Sequence, residues 1–166
     1  LGEIATKLLA GGGANVIFTY FSGAREADEI ANTIRAGGGM AKSIAFNILD
    51  CGTLDRAALG CSDVEITHLY YFPSPKIKPN GGKIFNNDLY AEFRRFYVDG
   101  LQSVLEILIP NQNTGIDVFY PSSEFLDTPQ PGFREYETAK SDGEKLCAEL
   151  GMRFSGKAQF HHPRIP

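Results

Sequence analysis

Apolar positions along the chain follow two rhythms: a helical period, and short unbroken runs of the kind a buried strand needs. Ile4, Ala5, Leu8 and Leu9 keep the helical period, and Gly11-Gly12-Gly13 stops it. Ala14 to Tyr20 is a β-branched and aromatic run that predicts a strand. Ala24 to Ala36 predicts a helix with Ala27, Ile30, Ala31 and Ile34 on one face, ended by Gly37-Gly38-Gly39. Ala41 to Ile48 predicts a second strand, Thr53 to Leu59 a short helix, and Ile66 to Phe72 a third strand, stopped by Pro73 and Pro75. Pro73 to Lys83 is a Pro/Gly-rich loop. A long helix is expected from about Asn87, its stripe formed by Leu89, Phe93, Phe96, Tyr97, Leu101, Val104, Leu105 and Leu108, and Pro110 closes it. Ile116 to Tyr120 predicts a fourth strand ending at Pro121-Ser122-Ser123. After Pro129 and Pro131, a helix is expected from Tyr136 to Leu150, then a short strand from Ala158 to His162.

Strands separated by helices, without hairpin signals, imply an α/β fold: a doubly wound parallel sheet in three layers. In such sheets ligands sit beyond the carboxyl ends of the strands. Polar residues gather at those ends here: Tyr20-Phe21-Ser22, Asn47, and Ser122-Ser123.

With 166 residues, 43% hydrophobic and 22% charged, the chain is expected to be one globular domain. A net charge of -4 with dispersed basic residues argues against nucleic acid or an anionic membrane as partner. No apolar stretch approaches the ~20 residues of a membrane span. The opening Leu1 to Ala10 contains Glu3 and Lys7, unlike a signal peptide. Cys51, Cys61 and Cys147 are odd in number and far apart, which predicts free thiols in a reducing, cytoplasmic setting. His161-His162 lacks neighbouring cysteines or carboxylates, so no metal site is expected.

The sharpest chemical feature is Tyr136-Glu137-Thr138-Ala139-Lys140. Four residues along a helix put Tyr136 and Lys140 on one face. An ammonium near a phenol favours the phenolate and should lower the tyrosine pKa, equipping Tyr136 to exchange a proton with a carbonyl or alcohol oxygen. Ser123 lies at a strand end shortly before, where its hydroxyl could address the same oxygen; Ser122 is the alternative one residue away.

In the order Ser123, Tyr136, Lys140 the chain resembles the short-chain dehydrogenase/reductase family. The resemblance implies that Ser123 orients the substrate oxygen, Tyr136 acts as acid/base, and Lys140 lowers its pKa while holding the nicotinamide ribose. It extends along nearly the whole chain. Leu1-Gly2-Glu3-Ile4-Ala5 looks like the tail of the family's glycine-rich coenzyme loop, with Gly2 its last glycine. Asn47-Ile48-Leu49-Asp50 stands where an adenine contact is usual, and His162-Pro163-Arg164-Ile165-Pro166 where the nicotinamide carboxamide is met, which adds Asn47 and Pro163 to the coenzyme residues. There are departures too: Tyr70-Tyr71-Phe72-Pro73 replaces the Asn-Asn-Ala-Gly motif, and Tyr97 or Val98 occupies the place of the tetrad asparagine.

Family strand order would be 3-2-1-4-5-6, with the first strand and the C-terminal substrate segment missing from the chain. It is therefore expected to be one NAD(P)-binding domain truncated at both ends. Direct pairing of the second and fourth strands would refute this. The second strand ends in Thr19-Tyr20-Phe21-Ser22-Gly23-Ala24-Arg25, with no acid to select NAD, and Ser22 and Arg25 could meet a 2′-phosphate; NADP is favoured and NAD is possible. The implied function is reduction of a small-molecule or carrier-bound ketoacyl-like carbonyl, in a homodimer or a fusion to other enzyme domains. Alternatives are an extended-type sugar-nucleotide epimerase or dehydratase, and a non-catalytic dinucleotide-binding scaffold.

Overall fold

The computed structural model describes residues 1–50, 55–82, 84–110 and 112–166, which fall into two compact units, Leu1–Val64 and Glu65–Pro166. In the first unit, α1 (Gly2–Gly11), β1 (Asn15–Tyr20), α2 (Ala24–Ala36) and β2 (Met40–Ala45) follow the expected pattern. Strands β1 and β2 pair in parallel, with Val16 opposite Ala41 and Tyr20 opposite Ala45. Their core joins Ala10, Ile34 and Ala41 with Val16, Phe18 and Ile30. Gly23 precedes α2 at φ +79°, a left-handed turn that any side chain would strain. The inward face of α1 is not the expected one: Thr6 and Ala10 are buried while Ile4 and Leu8 are exposed. Small residues there allow close approach, and the larger apolar ones lie on the other side. The short helix expected over Thr53 to Leu59 is not formed where it can be followed. Residues 56–60 are turns, and 51–54, including Cys51, lie outside the described residues.

The second unit is built on a parallel ladder β3 (His68–Tyr70), β4 (Ile116–Phe119) and β6 (Ala158–His161), with β4 in the middle. A smaller ladder pairs β5 (Ser122–Ser123) with β7 (Arg164–Ile165). The orders β2-β1 and β3-β4-β6 are those expected for the second and third, and for the fourth to sixth, strands. Each ladder stays within its own unit.

The long helix is three pieces: α3 (Asn87–Arg94), a π-helical turn (Arg95–Asp99) and α4 (Gly100–Leu108). Asn86 caps the start, accepting from the amides of Asp88 and Leu89 at 3.0 and 3.1 Å. The expected stripe changes at the π turn, because its wider winding shifts the register of the face. Tyr97 and Val98 are both buried, whereas Phe96 is only half-buried. That stripe packs within the unit, much of it against α5 (Arg134–Arg153), and so serves as core. The last helix begins two residues earlier and ends three later than expected.

Glu135, 2% exposed, ties the loop before α3 to α5. Its Oε1 accepts from Asn80 Nδ2 at 2.7 Å and from the Asn86 amide at 2.6 Å. Desolvation alone would raise its pKa, but the Asn86 amide, its own amide, Asn80 and Arg134 together hold it below the usual value. Glu135→Ala should cost roughly 3 kcal/mol by urea unfolding, because it takes a buried charged acceptor away from two part-buried N–H donors. A carboxylate with a depressed folded pKa contributes stability above its unfolded value, ~4.3, and loses it as pH falls through the folded value. The gap between wild type and variant should therefore narrow below about pH 4.

Candidate active site

The parallel pairing of β5 with β7 brings Ser123 opposite Ile165, and the Ser122 amide donates to the Pro163 carbonyl at 2.9 Å. Pro163 is thereby placed beside the two serines. Alternation along β5 separates their roles. Ser122 Oγ donates to Glu144 Oε1 at 2.5 Å, and the same carboxylate receives Arg164 Nε at 3.0 Å and Nη2 at 2.9 Å. Arg164 also donates to Asp127. Ser122 is thus committed to a structural bridge between β5, β7 and α5. Ser123, 5% exposed, is the serine whose hydroxyl influences Tyr136, and its Oγ also accepts from the Phe125 amide at 3.3 Å.

Tyr136 is 7% exposed and stands edge-on to Phe93, Tyr97 and Phe125, with ring centroids 5.6 to 5.9 Å away. Burial raises its pKa, and the nearby Ser123 hydroxyl pulls in the opposite direction. The expectation that Lys140 lowers it is not met. Lys140 Nζ lies 6.0 Å from the Tyr136 ring centroid and donates instead to the Pro121 carbonyl at 2.6 Å. Its ammonium sits 4.0 Å from the Tyr97 ring centroid and 4.9 Å from that of Tyr120. Burial lowers the Lys140 pKa to about 8, against smaller raising effects from Cys147 and Glu144.

Among the described residues Cys61, in the first unit, and Cys147, on α5, are buried free thiols. Burial pushes the Cys147 thiol up to about 12, leaving it protonated and inert. Tyr120 is fully buried, and its hydroxyl has no hydrogen-bond partner among the described residues. Tyr120→Phe should therefore raise stability by about 1 kcal/mol in calorimetry, since it removes an uncompensated desolvation.

In the first unit the parallel pairing gathers the other candidates at one strand end. The Phe46 amide donates to the Tyr20 carbonyl at 2.7 Å, so Tyr20 and Asn47 lie close together. Asn47 Oδ1 accepts from the Leu49 amide at 3.1 Å, an Asx turn that fixes the side chain. Ser22 and Arg25 are exposed just beyond β1, with Arg25 3.5 Å from Glu29. Gly2 opens α1. Among the described residues no His/Cys/Asp/Glu group could hold a metal, and no helix is long and apolar enough to cross a membrane. Both histidines of the His161-His162 pair are exposed, and His161 Nε2 lies 3.1 Å from Asp117. Sequence reasoning missed Ser74, Tyr120, Glu144 and Arg164 as members of this site; only Tyr97 carried a signal, from its place in the long helix.

No protein-family model and no curated protein matches the sequence. Solved structures do. Alternative dihydrofolate reductase 1 (FolM) of Brucella suis, in complex with NADP, matches with a TM-score of 0.83 at 17% identity, over 95% of this chain and 64% of that one. A variant of a Serratia marcescens short-chain dehydrogenase/reductase gives 0.84 at 20%, over 98% and 68%. The promiscuous reductase LugOII, which catalyses keto-reduction at C1 during lugdunomycin biosynthesis, gives 0.82 at 16%, over 97% and 68%. The chain thus has the α/β Rossmann-type fold of these reductases and spans about two thirds of their length.

Proposed function

We propose that the chain is the coenzyme-binding part of an NADP-dependent short-chain dehydrogenase/reductase that reduces a ketone, of ketoacyl type, with Ser123, Tyr136 and Lys140 as its catalytic residues. The observation that carries this reading is Tyr136 buried among three aromatic rings, with the buried Ser123 hydroxyl acting on its phenol and Lys140 one helical turn away. A scaffold that only binds dinucleotide has no need of that pairing.

The residues present fit a nicotinamide dinucleotide. Lys140 has three N–H donors, and the Pro121 carbonyl takes one, which leaves donors for ribose hydroxyls. No acid stands at the end of β1, and Ser22 and Arg25 there suit a 2′-phosphate, which favours NADP over NAD. Gly2, Tyr20, Asn47 and Pro163 complete the coenzyme residues by their places at helix start and strand ends. When bound, the reduced coenzyme supplies the hydride. Ser123 donates to the carbonyl oxygen and orients it, and Tyr136 gives that oxygen its proton. A phenol whose pKa is raised keeps its proton at neutral pH, which suits the reductive direction.

The test is spectrophotometric: the protein with NADPH and a panel of β-ketoacyl thioesters and simple ketones. One NADPH should be consumed for each alcohol formed. Binding of NADPH without consumption across the panel would leave the scaffold reading standing and remove this one.

A further inference from the structure

We propose that Tyr97 is the positioning residue for Lys140, its ring face holding the ammonium where a buried lysine would ordinarily meet a carboxylate. The inference rests on the role given to Lys140 above. Lys140 is 6% exposed, and among the described residues it forms no ion pair: the nearby Glu144 is engaged by Arg164 and Ser122. Its ammonium has one carbonyl, that of Pro121, and three rings, of which Tyr97 at 4.0 Å is much the nearest. A cation within about 6 Å of an aromatic face is attracted by the ring quadrupole, more strongly when water is excluded.

The ring itself is fixed from several sides. The Tyr97 hydroxyl shares a hydrogen bond of 2.6 Å with Ser74 Oγ, and its face stacks on Phe93 at 6.0 Å and 8°. The π turn that carries it is tied down by the Tyr71 hydroxyl, which donates to the Phe96 carbonyl at 2.5 Å. A ring so constrained gives the flexible lysine stem one place to put its charge. The groups facing the ammonium are Tyr97 from the π turn, Tyr120 from the end of β4, and Tyr136, Glu144 and Cys147 from α5.

The experiment is a lysine ¹³Cε titration of the full chain by NMR, without coenzyme, for wild type, Tyr97→Phe, Tyr97→Leu, and a protein carrying 3,5-difluorophenylalanine at position 97. The ring face stabilises the charged form, so weakening it should lower the Lys140 pKa. Tyr97→Phe keeps the face and should titrate close to wild type. Leucine should titrate ~1 unit lower, and the difluoro ring should fall between. NADPH affinity should drop in the same order. If leucine and the difluoro ring titrate with phenylalanine, Tyr97 is packing alone and the proposal fails. Should the leucine protein not fold, phenylalanine against its difluoro analogue, equal in shape, decides the matter. The expected titration order in a wild type that oxidises no NADPH would keep the positioning and discard the reductase.

Discussion

Tyr136→Phe is expected to lower NADPH-dependent ketone reduction by roughly 10³-fold, the scale of losing a general acid. NADPH binding and thermal stability should stay close to wild type. The ring makes its edge-on contacts with Phe93, Tyr97 and Phe125 through carbon, and these survive loss of the hydroxyl. Burial raises the phenol pKa, so in wild type the acid stays protonated through the neutral range. The alkaline limit of kcat/KM should come instead from Lys140, whose pKa lies at about 8 and whose charge the coenzyme ribose needs. Activity in the reductive direction should therefore fall above about pH 8. In Lys140→Met that limb should vanish together with most of the rate. A Phe variant that turns over normally would show that the proton comes from elsewhere, and the roles of Ser123 and Lys140 would fall with it.

Much of this was legible in the sequence, for a physical reason. Glycine clusters at Gly11-Gly12-Gly13 and Gly37-Gly38-Gly39 and prolines at Pro73, Pro110 and Pro163 stop elements through local backbone chemistry, which needs no tertiary context. The Ala24–Ala36 helix follows its periodicity to the residue. What the sequence could not carry was the tertiary choice of partner. Ser122 and Ser123 are indistinguishable as letters, and only the β5–β7 pairing turns one toward Glu144 and the other toward Tyr136. The spacing of Tyr136 and Lys140 put both on one face, but it could not reveal that the ammonium would turn to the Tyr97 ring and the Pro121 carbonyl. Nor does an apolar helix pattern announce a π turn, since one extra residue per turn leaves the stripe apolar while changing which residues point inward.

Gly143→Ala is expected to be the most destabilising single-methyl change in the second unit. In an exposed helix, alanine for glycine gains up to ~1 kcal/mol. At Gly143 the sign reverses. A Cβ there would stand 2.0 Å from Tyr120 Oη and 2.6 Å from its Cζ, and Tyr120 is fully buried with no room to swing. Overpacking of this kind costs ~1–3 kcal/mol, and contacts this short belong at the upper end. For a chain of this size, a loss of roughly 3 kcal/mol should lower Tm by about 10 °C. Gly151, two turns further along α5, is the internal control. There a Cβ meets only Phe160 Cδ2 at 3.5 Å, so Gly151→Ala should leave Tm unchanged or slightly raised. Shortening the ring partner should recover much of the loss, making Tyr120→Leu with Gly143→Ala less destabilised than the two single costs added. Because the Tyr120 ring lies 4.9 Å from the Lys140 ammonium, its displacement in Gly143→Ala should also weaken NADPH binding, which Gly151→Ala should spare. Equal melting temperatures for the two alanine variants would mean that Tyr120 does not press against α5 at Gly143.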